Sequence, residues 1–151
     1  LQRLRDSGKL RFLGMSGHER SFFGKIASGT VKVPVDFFHV RYNAVHTGAE
    51  QDVFPYLPEE NRSGIVIYTA TCWRRLLKRP KGWQGDVPTA GDCYRFCLSS
   101  PRVDVVLTGP KNVAQLRENL DALEVGPFDA EEIARMRRFG ARAKGRGFDW
   151  L

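Results

Sequence analysis

The amino-acid sequence predicts an α/β fold in which parallel strands are covered by helices. Short apolar runs alternate along the chain with stretches in which apolar residues recur at helical spacing. Parallel neighbours need a long, usually helical crossover, so the order β-α-β-α-β-α-β-α-α favours a parallel sheet with right-handed connections. The 151 residues suffice for about one domain, and no apolar run approaches the ~18 residues of a membrane-spanning helix.

Each element is assigned from its own pattern. Leu1 and Leu4 stand among basic residues ahead of Gly8, which is typical of the last turns of a helix and its C-terminal cap. We therefore expect the chain to be an interior piece of a longer protein. The other elements are strands at 10–16, 35–42, 64–70 and 103–109, and helices at 21–28, 49–57, within 88–99, 113–123 and 130–139. Residues 140–151, rich in Gly, Arg and Lys, are predicted to be a basic, flexible tail.

Charge and cysteine content limit the classes of binding partner and the cellular compartment that the sequence favours. The net charge of +7 could suit nucleic acid, an anionic membrane or a phosphorylated ligand. Basic residues cluster at 74–81 and 135–146, but without interleaved aromatic residues or a nucleic-acid motif, so a solvated face is the simpler interpretation. The three cysteines are too few for a disulfide framework, and Cys93 and Cys97 lack C-x-x-C spacing. We expect buried thiols, no metal site and a cytoplasmic location, with neither nucleic acid nor a membrane as partner.

Polar and aromatic side chains at the strand ends are the first site candidates, because ligands of parallel α/β folds bind at the carboxyl ends of the strands. Ser16 and Gly17 end the first strand and offer a hydroxyl beside bare backbone, although Ser16 could equally cap the next helix. His39 begins a row of alternating polar residues that ends at Asn43, but a lone strand histidine is more often structural. Tyr68 could stack on a planar ligand or pack in the core.

The fourth strand runs into TGPKNVAQLRENL, which opens a helix. Gly109 lets backbone approach a ligand, and Lys111 adds charge at a helix N-terminus that attracts phosphate. Gln115 and Asn119 lie on the same helix face as Lys111, and Asn119 carries the donor and acceptor that match an adenine edge. In the competing interpretation, Asn112 and Gln115 form a capping box. The two interpretations share only Gln115.

The order of these segments resembles the C-terminal half of an aldo-keto reductase. The resemblance rests on LRDSGKLRFLGMSG, a strand ending in YN, GIVIYTA, RFCLSSPRVDVVLTGPKNVAQLRENL and GPFDAEE, over residues 1–139. It implies a (β/α)8 TIM barrel that binds NADP(H) without a Rossmann fold and reduces aldehydes or ketones. The four strands would then be strands five to eight of the barrel, a half-barrel on the cofactor side.

The resemblance assigns the nicotinamide end of the cofactor to the first three strands. Ser16 matches the family's serine, whereas Gly17 stands at its asparagine position and His39 at its glutamine position. Tyr68 matches the aromatic residue that stacks on the nicotinamide ring.

The adenosine end is assigned to the fourth strand and its helix. Lys111 stands where a basic residue meets the 2′-phosphate, and Gln115 and Asn119 match adenosine-binding positions. The family's glycine-rich loop is replaced by TCWRRLLKRP, in which Arg74 and Arg75 could supply charge to the pyrophosphate. The predicted cofactor-binding residues are Ser16, Gly17, His39, Tyr68, Thr69, Gly109, Lys111, Gln115 and Asn119.

The resemblance places the catalytic Asp, Tyr, Lys and His on the family's first four strands, which find no counterpart in this chain. None of Tyr42, Tyr56, Tyr68 and Tyr94 stands at the position of the family's acid. We therefore expect an NADP-dependent oxidoreductase whose present chain has no reductase activity alone. We also expect this half-barrel to self-associate or to pack loosely. The alternative is a non-catalytic regulatory or nucleotide-sensing module derived from the same barrel.

Overall fold

The computed structural model describes residues 1–145, whose fold is built on a sheet of four parallel strands. The strands lie in sequence order as β1 (Gly14–Ser16), β2 (Phe37–Arg41), β3 (Gly64–Tyr68) and β4 (Val105–Val106). At least one helix lies between each pair of consecutive strands, as parallel pairing requires. The predicted α/β class with a parallel sheet is confirmed.

The α-helices of the described chain begin and end close to the predicted positions. They are α1 (Gln2–Asp6), α2 (Arg20–Ala27), α3 (Ala49–Asp52), α4 (Ala90–Leu98), α5 (Val113–Val125) and α6 (Ala130–Lys144). Thr89 and Asp129 start α4 and α6 with capping boxes, in which each side chain accepts a hydrogen bond from the backbone N–H three residues later. Gly8 follows α1 with φ of 72°, the left-handed conformation predicted for a cap.

Several predicted elements are shorter in the structure, among them the first strand, which was expected at 10–16 and spans only Gly14–Ser16. The helix expected at 49–57 ends at Asp52, and a 3₁₀ helix (Phe54–Tyr56) follows, because Pro55 has no N–H to continue α-helical bonding. The strand expected at 103–109 pairs only at Val105–Val106. Within residues 1–145, β3 is the sole neighbour of β4, so nothing extends its pairing on the other side.

The predicted flexible tail at 140–151 is wrong for its first five residues. The last helix continues to Lys144, and Gly140 and Ala143 are buried. A Cβ at Gly140 would lie 2.0 Å from the carbonyl oxygen of Ala44, so the absence of a side chain allows α6 to approach the loop after β2. Residues 146–151 lie outside the described residues.

The two faces of the sheet have different surroundings. Phe38, Val40, Ile65 and Ile67 are fully buried beneath the helices and form the centre of the core. The alternate residues point to the opposite face, where Val105 remains 47% exposed. Every helix within residues 1–145 is too short or too polar to span a bilayer.

Candidate functional site

A cleft of about 500 Å³ opens at the carboxyl ends of β3 and β4. It is lined by residues within 69–77, 88–94, 107–111 and 115–119, and we call it the β3–β4 cleft. It brings together five predicted cofactor-binding residues: Thr69, Gly109, Lys111, Gln115 and Asn119. Ser16, Gly17, His39 and Tyr68 do not line it.

The loop after β3 forms one wall of the cleft and has an unusual backbone. Thr69, Cys72, Trp73 and Arg74 all adopt positive φ angles between 50° and 67°. Non-glycine residues in this region cost about 1–3 kcal/mol each and tend to cluster at functional sites. Trp73 and Arg74 line the cleft, and Trp73 is 54% exposed. This conformation could not be predicted from the residues of the loop, because the loop contains no glycine.

The side chains of Arg74 and Arg75 point to different places in the fold. Arg74 faces the β3–β4 cleft. The guanidinium of Arg75 instead donates hydrogen bonds to the carbonyl oxygens of Ala143 and Lys144 at the end of α6. Arg75 therefore stabilises the C-terminus of a helix, and only Arg74 is in place to meet an anion in the cleft.

The N-terminus of α5 forms the opposite wall. Asn112 is the N-cap, and its side-chain oxygen accepts a hydrogen bond of 2.9 Å from the N–H of Gln115. The oxygen of the Gln115 side chain accepts from the N–H of Lys111 at 2.8 Å, rather than from that of Asn112. The cap is confirmed, and the reciprocal bond of the predicted capping box falls one residue earlier. Lys111 is exposed on the cleft, beside the positive end of α5.

Asn119 is held on the floor of the cleft by a chain of hydrogen bonds. It is 91% buried, and its side-chain amide donates to the hydroxyl of Thr108. That hydroxyl in turn donates to the phenol oxygen of Tyr94 at 3.1 Å. Thr108 and Tyr94 were not among the predicted site residues. Their contacts become visible only when α4 packs against α5.

Gly109 leaves free space in the cleft. A Cβ at this position would meet no atom within 4 Å, and its φ is not in the left-handed region. The residue is therefore not required by the local conformation. The unfilled space is what close approach of a ligand to the backbone needs.

Ser16, His39 and Tyr68 lie on the sheet face that points away from the helices, whereas Gly17 follows the end of β1. Ser16 pairs with His39 across β1 and β2, and Tyr68 lies two residues farther toward the carboxyl end of β3. The His39 ring is tilted against Phe37 with centroids 5.4 Å apart. Gly17 approaches the ring of Phe23, since a Cβ there would lie 3.3 Å from it. The roles of these four residues in cofactor binding stay predictions.

Asn43 joins the loops that follow β2 and β3. The residue is fully buried, and its oxygen accepts hydrogen bonds from the N–H groups of Val45 and His46 at 2.9 Å each. Its amide donates to the carbonyl oxygen of Thr69 at 2.8 Å. The polar residue expected to face a ligand thus fixes the loop that borders the cleft.

The cysteines are buried free thiols, as predicted. Cys93 and Cys97 are packed within the core, and burial raises the pKa of the Cys93 thiol to about 12. Burial also raises the pKa of Cys97 and Cys72. Protonated thiols at neutral pH act as small apolar groups.

A match to a protein-family model supports the family resemblance independently of the structure. Residues 83–141 match the model described as the aldo/keto reductase family. This range contains α4, β4 and α5, and with them Gly109, Lys111, Gln115 and Asn119. The resemblance inferred from the sequence is confirmed. No curated protein matches the chain.

Solved structures show the same fold. Aldo-keto reductase AKR11C1 from Bacillus halodurans superimposes with TM-scores of 0.72 (holo form) and 0.71 (apo form), at 19% identity. Each alignment covers 97% of this chain and 56% or 57% of that protein. The thermostable aldo-keto reductase Tm1743, solved with the inhibitor epalrestat, gives 0.66 at 21% identity and covers 91% of this chain and 52% of its own. The chain spans about half the length of these reductases.

Proposed function

We propose that this chain is the NADP(H)-binding half of an aldo-keto reductase-like barrel that reduces aldehydes or ketones. One observation carries the proposal. The β3–β4 cleft gathers Gly109, Lys111, Gln115 and Asn119 at the carboxyl ends of parallel strands, within the residues that match the family model. Ligands of parallel α/β folds bind at that end.

The chemistry of the cleft fits a phosphorylated adenine nucleotide. Lys111 and Arg74 supply two cations, and the N-terminus of α5 adds its partial positive charge. Asn119 offers an amide to an adenine edge, although Thr108 already accepts one of its hydrogen bonds. Gly109 leaves space for the ligand. The bound cofactor would supply the hydride that a carbonyl carbon accepts.

The proposed nicotinamide end lies across the open sheet face. Ser16, His39 and Tyr68 share that face at the carboxyl ends of β1, β2 and β3. A dinucleotide that starts in the cleft and passes the loop after β3 would reach them. An extended ligand therefore explains why the predicted residues form two separate groups.

We propose that residues 1–145 supply the cofactor side and no catalytic acid. The phenol of Tyr42 donates to Glu50 at 2.6 Å, and burial raises the pKa of Tyr42 above its usual range. Tyr94 accepts from Thr108 within the cleft. Mixing the chain with NADPH and a reactive aldehyde is expected to give no cofactor oxidation, because general acid catalysis is worth about 10²–10⁴-fold. Rapid oxidation would contradict this assignment. No observation favours the alternative of a non-catalytic module.

The decisive measurement is a titration with NADPH and NADH. We expect NADPH to bind more tightly, and Lys111→Ala to weaken NADPH at least ten-fold with little effect on NADH. A charge-assisted contact to phosphate is worth about 1.5–3 kcal/mol, and NADH lacks the 2′-phosphate.

Lys9→Ala is the matched control, since Lys9 is an exposed lysine at the opposite end of the sheet, before β1. Equal losses for both cofactors in Lys111→Ala would remove Lys111 from the 2′-phosphate role. If neither NADPH nor NADH binds to the chain, the proposed function is overturned.

A further inference from the structure

Within the part of the chain that the structure describes, Arg41 is a buried cation without a counter-ion. The residue is 91% buried, and its Nε and Nη1 atoms have no hydrogen-bond partner anywhere in residues 1–145. Two partly buried arginines elsewhere are paired: Arg62 binds Asp104 and Arg95 binds Glu132. Burying an unpaired charge is costly, so buried guanidinium groups normally meet a carboxylate or a phosphate.

The position of Arg41 points to the ligand side of the sheet. It is the last residue of β2 and pairs with Tyr68 of β3. Its neighbour Val40 is fully buried beneath the helices, so strand alternation directs Arg41 to the face shared with His39 and Tyr68. It lies two residues closer to the carboxyl end than His39, which is about 7 Å along the strand.

The surroundings of Arg41 are positively charged. Burial, together with the charges of Arg41, Lys144, Arg20 and Arg75, lowers the pKa of His46 to about 4. The imidazole is therefore neutral at pH 7 and adds no charge. Asp52, a carboxylate on the neighbouring α3, is engaged by Arg20 at 3.0 Å. Asp52 is therefore held by Arg20 and does not neutralise Arg41.

We propose that Arg41 binds a carboxylate on the carbonyl substrate. This inference rests on the proposed function, since it assumes that the substrate enters beside His39 and Tyr68. Guanidinium groups bind carboxylates through two parallel hydrogen bonds, and a buried one does so with little competition from water. Carbonyl acids are thus favoured over neutral aldehydes and ketones.

The loop after β3 must shift for this contact to form. Nε and Nη1 of Arg41 are sealed from solvent, and Cys72 of that loop is close enough for the charge of Arg41 to act on its pKa. The loop holds three consecutive residues with positive φ, from Cys72 to Arg74, so it stores backbone strain that a rearrangement can release. Trp73, exposed in the middle of the loop, provides an optical signal of the movement.

The test is a fluorescence titration of the chain without cofactor. Pyruvate combines a carbonyl with a carboxylate, and pyruvamide is its neutral counterpart. We expect pyruvate to bind, pyruvamide not to bind, and Arg41→Gln to raise the Kd of pyruvate at least ten-fold. Arg41→Lys keeps the charge but loses the paired geometry, and is expected to fall in between.

Arg11→Gln is the control, because Arg11 is exposed before β1 at the opposite end of the sheet and should leave the Kd unchanged. Melting curves check that each variant folds. Equal binding of pyruvamide, unchanged binding by Arg41→Gln, or no binding by the folded wild-type chain would overturn the proposal. If inorganic phosphate bound ten-fold more tightly than pyruvate, the preferred ligand of Arg41 would be a phosphate and not a carboxylate. That result would also contradict the proposal. Because NADPH is absent, failure here is distinguishable from failure of the cofactor titration.

Discussion

Gly109 and Gly140 occupy opposite environments, and each tells something different about the molecule. A Cβ at Gly109 would project into the open cleft, whereas one at Gly140 would overlap the carbonyl oxygen of Ala44. The first glycine leaves room for a ligand, and the second lets α6 pack against the loop after β2. The two residues are of the same type, so the space around each one decides what it does.

This contrast gives a prediction that separates binding from stability. Gly109→Ala is expected to keep or slightly raise the melting temperature, because replacing a glycine whose backbone suits alanine gains about 0.4–1 kcal/mol. It is expected to weaken NADPH binding, since the methyl group enters the cleft. Calorimetric titration and a thermal melt measure the two effects.

Gly140→Ala serves as the opposite case, with a lower melting temperature caused by the clash with Ala44. Undiminished NADPH affinity in Gly109→Ala would show that the backbone at this position does not approach the cofactor.

At the scale of elements, an ion pair fastens β3 to the segment before β4. Arg62 donates two hydrogen bonds of 2.7 Å to the carboxylate of Asp104, which also accepts from the N–H of Ile65 at 2.7 Å. These bonds to Arg62 and to the backbone hold the pKa of Asp104 below its usual range. The pair lies at the amino end of the strands, away from the cleft, so it stabilises the sheet without touching the site.

A pH dependence of stability follows from this pair. A carboxylate with a lowered pKa stabilises the fold above its unfolded pKa of about 3.9, and loses that contribution as the pH falls through the lower folded value. Asp104→Asn is expected to destabilise the chain by about 0.5–1 kcal/mol at pH 7, because 40% exposure of the side chain screens the charge. The deficit relative to wild type should persist down to about pH 5 and narrow below about pH 4.

Urea titrations across this pH range measure the deficit. Asp86→Asn is the control, because the Asp86 side chain is exposed and makes no hydrogen bond within the described chain. A deficit that is independent of pH would mean that packing, and not the charge of Asp104, accounts for the loss.

At the scale of the whole molecule, two apolar surfaces remain open. Val105 and Leu107 are 47% and 46% exposed on the sheet face away from the helices. Leu116, Leu120 and Leu123 form an exposed row on α5 at spacings of four and three residues. Together with the unpaired edge of β4, these surfaces are of the kind that recruit another protein surface.

We therefore predict that the isolated chain self-associates or packs loosely. Light scattering after size exclusion is expected to give a mass above that of one chain, and Leu120→Glu is expected to reduce it. Gln84→Glu, which adds the same negative charge at an exposed position, is the control for charge. A monomer with a sharp thermal transition would show that the four strands are sufficient by themselves.

The pattern of residues alone determined the fold class, because the alternation of apolar runs and helical spacing is a local property. The same holds for the predicted caps: Gly8 and Asn112 act within one turn of the chain. The grouping of Gly109, Lys111, Gln115 and Asn119 along one cleft was also predictable, because these residues lie on one strand end and one helix. Each of these features depends on residues that are close in sequence.

Tertiary structure decided the features that depend on contacts between distant segments. Asn119 meets Tyr94 through Thr108 only because α4 packs beside α5, and Gly140 is required only because the Ala44 carbonyl oxygen lies against α6. The isolation of the Arg41 guanidinium is likewise a property of its surroundings, which no residue of β2 reveals. Burial and the absence of a counter-charge arise from the packing of many segments, so neither can be read from local sequence.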